Sequence, residues 1–266
     1  MEIYQKEFLY KSLYSDDNGE YKMPTLSWWN VLIASSFFIV DFALSFAFQL
    51  KIIRPLLISW TRCLIQLTIM GFILEDVFRQ RNPYYIAGMT FVLILLTTFE
   101  TTFNKADNTF HGMFVSVFVC TFFSIHMIGV LGIRFAVNKV PFWAPDVFIP
   151  TIGLLLGLTV NTMAVGLNSL LGGLLNTNGD RVEALLAMGA SRWEATRAIT
   201  QESVRLAMLP PIQRMSIAGL IVIPGAMAGQ IMGGANVWNS LRYQQIMFFM
   251  ITACSCLAVM ILVTVN

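Results

Sequence analysis

Residues 179–199 read GDRVEALLAMGASRWEATRAI, a polar stretch set between long apolar runs. A chain that only crosses a bilayer has no need of an amphipathic helix there. Val182, Leu185, Leu186, Gly189 and Trp193 recur at three- and four-residue steps, which places them on one helix face. Asp180 precedes that helix and is positioned to cap it. Gly189 costs helix stability, about 1 kcal/mol relative to Ala, so it points to a close backbone approach or to a bend between two short helices. A helix lying on lipid favours a basic polar face. Here Arg181, Arg192 and Arg197 are balanced by Asp180, Glu183 and Glu194, which suits docking onto another protein.

Outward from this stretch the chain is apolar. Of its 266 residues 56% are hydrophobic and 12% charged, with mean hydropathy +0.68; soluble domains carry about 25% charged residues. The apolar runs are continuous and not alternating, which excludes a β-barrel. The fold class is therefore all-α, a polytopic helical membrane protein. A span needs roughly 20 apolar residues, which allows about seven transmembrane helices, at 27–50, 55–74, 84–99, 112–133, 147–170, 205–223 and 243–264. A polar tail, 1–26, precedes a membrane domain, 27–266. The tail carries eight charges, and the first apolar run is too long for a cleavable signal. With the 171–204 loop cytosolic, five preceding spans put the N-terminus outside and the C-terminus inside. The Lys/Arg distribution between short loops supports this orientation only weakly.

Polar residues inside spans mark the bundle interior, because a charge at the bilayer centre costs about 2.5–3.5 kcal/mol on insertion scales. Asp41 sits in the first span; Arg62 and Gln66, four apart, share a face of the second. Asp41 and Arg62 suit an ion pair, or contact with a transported solute. His126 reads as a hydrogen-bonded packing residue, and Asn161 lies in the fifth span. Residues 224–235 read PGAMAGQIMGGA, with Gly225, Gly229 and Gly233 at four-residue steps, as are Gly153 and Gly157. That spacing permits close helix packing in lipid. The alternative is a broken helix lining a cavity, since irregular backbone at membrane depth is tolerated only there. Pro224 favours the break, and Gln230 and Asn236 would add polar groups. A translocation path is thus expected along Asn161, Gly225, Gly229 and Gln230, with Asp41, Arg62 and Gln66 as further candidates.

Cys63, Cys120, Cys254 and Cys256 lie in apolar runs with no zinc or redox spacing. Met227 and Met232 admit a soft-metal reading, but Met is also a common filler of apolar helices, and a metal site remains unknown at this point. A net charge of +2 gives no case for nucleic acid. No phosphate-binding Gly-x-x-x-x-Gly-Lys-Ser/Thr loop is present, and no catalytic constellation supports an enzyme.

Several motifs carry a resemblance to a known family. Glu183-Ala184, Gly189 and Ile199 resemble the coupling loop of ABC-transporter permeases, although Leu209-Pro210 falls eight residues later than in that pattern. Arg62-x-x-x-Gln66-Leu67 with Gly71, Gly157-x-x-x-Asn161, Pro210, PGAMAGQIMGG at 224–234 and Arg242-Tyr243-Gln244 resemble FetB-type permeases. That family includes a bacterial iron-export permease and plant permeases linked to aluminium tolerance. The resemblance implies a homodimeric permease domain in membrane lipid, with no cofactor in this chain and ATP on a separate cytosolic ABC ATPase subunit. Glu183, Ala184, Gly189, Ala190 and Trp193 would couple the two. The expected role is export in metal (iron/aluminium) homeostasis. An ATPase-independent carrier or channel, a sugar-nucleotide exporter and a non-transporting scaffold stay open as alternatives.

Overall fold

The computed structural model describes residues 27–80, 82–177 and 179–265; the expected polar tail, 1–26, lies outside the described residues. The helices are α1 (Trp28–Ser35), α2 (Phe38–Ala47), α3 (Ile53–Gln80), α4 (Pro83–Phe99), α5 (Met113–Leu131), α6 (Pro145–Gly172), α7 (Gly179–Ala187), α8 (Arg192–Ile217), α9 (Gly225–Met232) and α10 (Val237–Val265). Three of them end in a wider π-helical turn: α4 at Glu100–Lys105, α5 at Gly132–Ala136 and α6 at Gly173–Thr177.

Among the described residues six helical stretches are long and apolar enough to cross a bilayer: Trp28–Ala47, Ile53–Arg79, Pro83–Lys105, Met113–Ala136, Pro145–Leu175 and Val237–Thr264. The chain is an integral, multi-pass helical membrane protein. Within the first stretch, the hydroxyls of Ser35 and Ser36 bond back to the carbonyls of Val31 and Ile33, and the ladder is interrupted between α1 and α2. The expected third span, 84–99, continues through the π-turn to Lys105, so Lys105 belongs to a span and not to a loop. The expected loop 171–204 is mostly helical. Its second half forms the start of α8, which also takes in the first part of the expected sixth span, 205–223. Arg192, Glu194, Arg197, Glu202, Arg205 and Arg214 all fall on this helix, which is why it lacks the apolar signature of a span.

The described chain falls into two compact units. One holds α1–α3 and Gly229–Ala235; the other holds α4–α8, α9 up to Ala228, and α10. The second unit is a helix bundle built around α6, the most buried span. Met113 and Val117 of α5, Leu167 and Leu170 of α6, Ile199 of α8 and Leu262 of α10 share one buried cluster. The C-terminal ends of α4, α6 and α10 therefore gather at the end where α5 and α8 begin. Glycine sets the approach of α8 to α6. A Cβ on Gly166 would stand 3.2 Å from Ala207 Cβ and from Val259 Cγ1, and one on Gly173 would stand 2.7 Å from Ile199 Cγ2. Gly153, Gly157, Gly225 and Gly229 differ: a Cβ on any of them meets nothing within 4 Å. The close packing expected of those four is absent within the described residues.

Local chemistry explains why 179–199 forms a helical hairpin and not one helix. Gly189, at φ +93°, takes the left-handed position that ends α7. Its N–H bonds to Leu186 O and that of Ala190 to Leu185 O, each 3.0 Å, closing the last turn. Ser191 then caps α8: its Oγ accepts from Glu194 N at 3.3 Å, and Glu194 Oε2 accepts from Ser191 N at 2.8 Å and Ser191 Oγ at 2.7 Å. Of the two readings of Gly189, the bend holds. Val182–Trp193 is accordingly not one continuous face. Asp180 lies inside the first turn of α7 and is not its cap; its negative charge there still suits the helix dipole.

Two predictions follow from this packing and capping. Gly166→Leu should destabilise the purified protein by about 1–3 kcal/mol through overpacking, while Gly157→Ala should leave its detergent melting curve unchanged; equal melting of both variants would contradict the packing assigned to α8. The second concerns pH. The Ser191 hydroxyl, then its backbone N–H, hold the Glu194 carboxylate below its ordinary value. The folded carboxyl ionises more readily than the unfolded one. The cap's stabilisation is therefore complete above the unfolded value and lost as pH falls through the depressed folded value. Hydrogen exchange at Arg192–Ala195, corrected for intrinsic rates, should quicken on acidification in the wild type, and Ser191→Ala should flatten that response.

Candidate functional site

The α7–α8 hairpin has two sides. Val182 and Leu185 turn inward and, with Gly172 and Gly173 of α6 and Ala198 and Ile199 of α8, line a cleft of about 530 Å³. Outward stand Glu183, Ala184 and Gly189, with Met188 76% and Trp193 53% exposed. Ala190 is half-buried. Leu186 and Trp193 border a second groove, closed by Val263 and Thr264 at the end of α10. Two large apolar side chains thus stand exposed on a tightly capped turn. The sequence reading missed Met188. Its position one residue before the helix-ending glycine is the signal that would have found it.

The second feature is a break at mid-depth. Gly166 contacts both Ala207 and Val259, and Thr252 Oγ1 donates to Met215 Sδ at 3.3 Å, so α8 runs antiparallel to α10. Ile217, where α8 ends, is thus level with the middle of α10. At 1.5 Å per residue, roughly 20 Å of α10 still lies between Thr252 and Val237. The chain makes up that distance through an irregular turn, 218–224, and the short helix α9. Gly219, at φ +83°, reverses the backbone, and its N–H reaches Val222 O at 3.0 Å. Leu220, Ile221 and Ile223 are exposed. The break thus lies just before Pro224, whereas 225–232, where the irregular backbone was expected, is the regular helix α9. Asn236 Oδ1 accepts from Trp238 N at 2.9 Å and starts α10.

The third feature joins α4 to α6. Asn168 Nδ2 donates to Lys105 O at 3.0 Å, and Asn168 Oδ1 accepts from Asp107 N at 3.0 Å, so both ends of one carboxamide grip the chain leaving the π-turn. Lys105 Nζ donates to Asn161 Oδ1 at 3.4 Å. Asn161 and Asn168 are seven residues apart, two turns on one face of α6. Asn161 is half-buried and Lys105 exposed. Glu100, at the start of the π-turn, accepts from Asn104 Nδ2 at 2.7 Å. The sequence reading identified Asn161 and missed Lys105 and Asn168, because the apolar run stops at Glu100 and reads as a loop.

The other candidates fall in both units. Gly225 opens α9 within the second unit, whereas Gly229 and Gln230 belong to the first. Asp41 lies on α2, and Arg62 and Gln66 one turn apart on α3, all exposed. His126 stacks on Phe122 with ring centroids 4.1 Å apart, its Nδ1 2.9 Å from Phe122 O, as expected of a packing residue. Among the described residues no group of three or more His, Cys, Asp or Glu side chains could hold a metal ion.

Relatives match the chain in sequence along most of their length. The chain is 26% identical over 226 residues to the UPF0014 membrane protein YjkA of Bacillus subtilis, covering 85% of this chain and 88% of that protein. It is 25% identical over 236 residues to the probable iron export permease protein FetB of Escherichia coli, covering 87% of each. Against the protein ALUMINUM SENSITIVE 3 of Arabidopsis thaliana it is 27% identical over 204 residues, 76% of this chain and 71% of that one. No solved structure matches the chain. The pattern of the uncharacterised protein family UPF0014 matches residues 28–266, from the first residue of α1 through the last span, and the chain belongs to that family.

Proposed function

We propose that this chain is the membrane-spanning permease subunit of an ABC-type transporter, an exporter in metal homeostasis driven by a separate cytosolic ATPase. The observation that carries the reading is the α7–α8 hairpin, a rigid turn with Met188 and Trp193 exposed at one end of the bundle. Glu183, Ala184, Gly189, Ala190 and Trp193 form the surface that enters the ATPase. The similarity to a probable iron export permease and to a protein named for aluminium sensitivity supports the cargo assignment. The working unit is a homodimer. The open faces at Gly153 and Gly157 leave room on α6 for a second copy or for cargo. Asn161, the break at 218–224 and Gly225, all within the second unit, form the path wall.

The mid-depth break also favours a second reading, because secondary carriers build their sites on interrupted helices. ATPase dependence separates the two. Trp193→Ala combined with Met188→Ser should leave the chain in the membrane but weaken ATPase co-purification at least about tenfold, the scale of losing an aromatic anchor. Cysteines placed at Ser191 and at Asn138 should label from opposite sides of the membrane. Unchanged co-purification, or the absence of any soluble ATPase with the wild type, would leave the carrier reading standing.

A further inference from the structure

Lys105 stands at the C-terminal end of a membrane-spanning segment and points the unusual way. A lysine at a span's end lowers its cost by extending its amine to the interface. Here the backbone is held at the level of Asn168, while the exposed amine sits at Asn161, two turns back along α6 toward mid-span. The geometry has a local cause. In a helix the Cα–Cβ bond tilts toward the N-terminus, and the N-terminus of α4 lies across the membrane from the hairpin. Asn168 then prevents the segment from turning outward. An ammonium held at such depth is expensive against lipid, so its open side must meet water or a polar solute. One turn beyond Asn161 on the same face of α6 lies Gly157, where a Cβ would meet nothing within 4 Å. Glu100, the carboxylate of the same π-turn, is engaged by Asn104.

We infer that Lys105 is the charge that meets the cargo, and that the cargo presents an anionic oxygen to it. A carboxylate or phosphate group would take the place of Asn161 Oδ1 on the ammonium; a metal ion would then travel inside an anionic chelate and not as a bare cation. Asn168 is a positioning residue that acts through Lys105. This inference rests on the permease reading and extends it to substrate class.

The test is equilibrium dialysis of the full chain reconstituted in lipid nanodiscs, with ferric citrate, citrate, inorganic phosphate and Fe(II) alone as probes. Wild type should retain ferric citrate, and Lys105→Gln should weaken that binding at least about tenfold, the loss of a charge-assisted hydrogen bond. Lys105→Arg should keep it within a few-fold. Asn161→Asp, nearly isosteric, should weaken it by neutralising the amine, and Asn168→Leu should weaken it with the lysine still present. Retention of citrate as tight as ferric citrate, or of phosphate, would identify which oxyanion is read, and either supports the assignment. Absence of anion binding by the wild type overturns it. So does unchanged binding by Lys105→Gln, or Fe(II) binding that tightens in that variant, which would make the lysine a guard on a cation path. ATPase co-purification does not depend on this charge, so failure here with co-purification intact removes the substrate inference alone.

Discussion

The contact of α8 with α6 at Gly166 and Gly173 is the constraint on which the functional geometry depends. Lipid offers helices no hydrophobic reason to associate, so they hold together where small residues let backbones come close. At Gly166 the neighbours are Ala207 and Val259, atoms with little freedom to yield. That contact sets how far α8 slides along the bundle, and hence the position of both its ends. The N-terminal end places the α7–α8 hairpin beside the end of α10. The C-terminal end leaves Ile217 level with the middle of a span, so the chain must finish its crossing as an irregular segment. The capped hairpin and the backbone break at mid-depth are thus at the two ends of one 26-residue helix.

That helix is also the mechanical link between them. It is about 39 Å long at 1.5 Å per residue, and its capped N-terminus is tied to α7 through Ser191 and Glu194. Displacement of the hairpin therefore acts on the break through a continuous helix. Pro210 and Pro211 remove two ladder hydrogen bonds along it. They fall beyond the Ala207 contact, between the part of α8 packed on Gly166 and the part that ends at the break. A helix firm near its contact and weakened beyond it would bend close to the break.

Much of this was legible in the sequence where the signal was local. The continuous apolar runs gave the helical membrane class, and PGAMAGQIMGG marked an interrupted helix within a few residues of its place. Gly189 raised the possibility of a bend. The Ser191–Glu194 pair, three residues apart, would have decided it, since it announces a fresh helix start. What local reading could not supply was depth. Whether Asn236 lines a cavity or caps α10, and whether Gly153 packs or stands open, depends on neighbours remote in sequence. The span expected at 205–223 is likewise the second half of a longer, charged helix that begins at Arg192 and ends at Ile217.

Residues 100–107 show the same limit in its sharpest form. Glu100-Thr-Thr-Phe-Asn-Lys105 has the polarity of a loop, and apolar periodicity ends the span before it. The backbone instead continues helically by widening to a π-turn, with Ala106 N bonding Thr101 O at 3.1 Å, so its polar groups remain satisfied inside the bundle. Asn168 completes that satisfaction from α6, sixty-one and sixty-three residues away in sequence. A polar segment kept helical at a span's end, gripped by a partner helix and carrying a lysine aimed inward, is a costly arrangement for packing alone. Apolar residues would close the same contact without a charge to accommodate. Its cost is understandable if, as proposed, the charge faces a route for solute; selection would then rest on α4 and α6, and movement on α8.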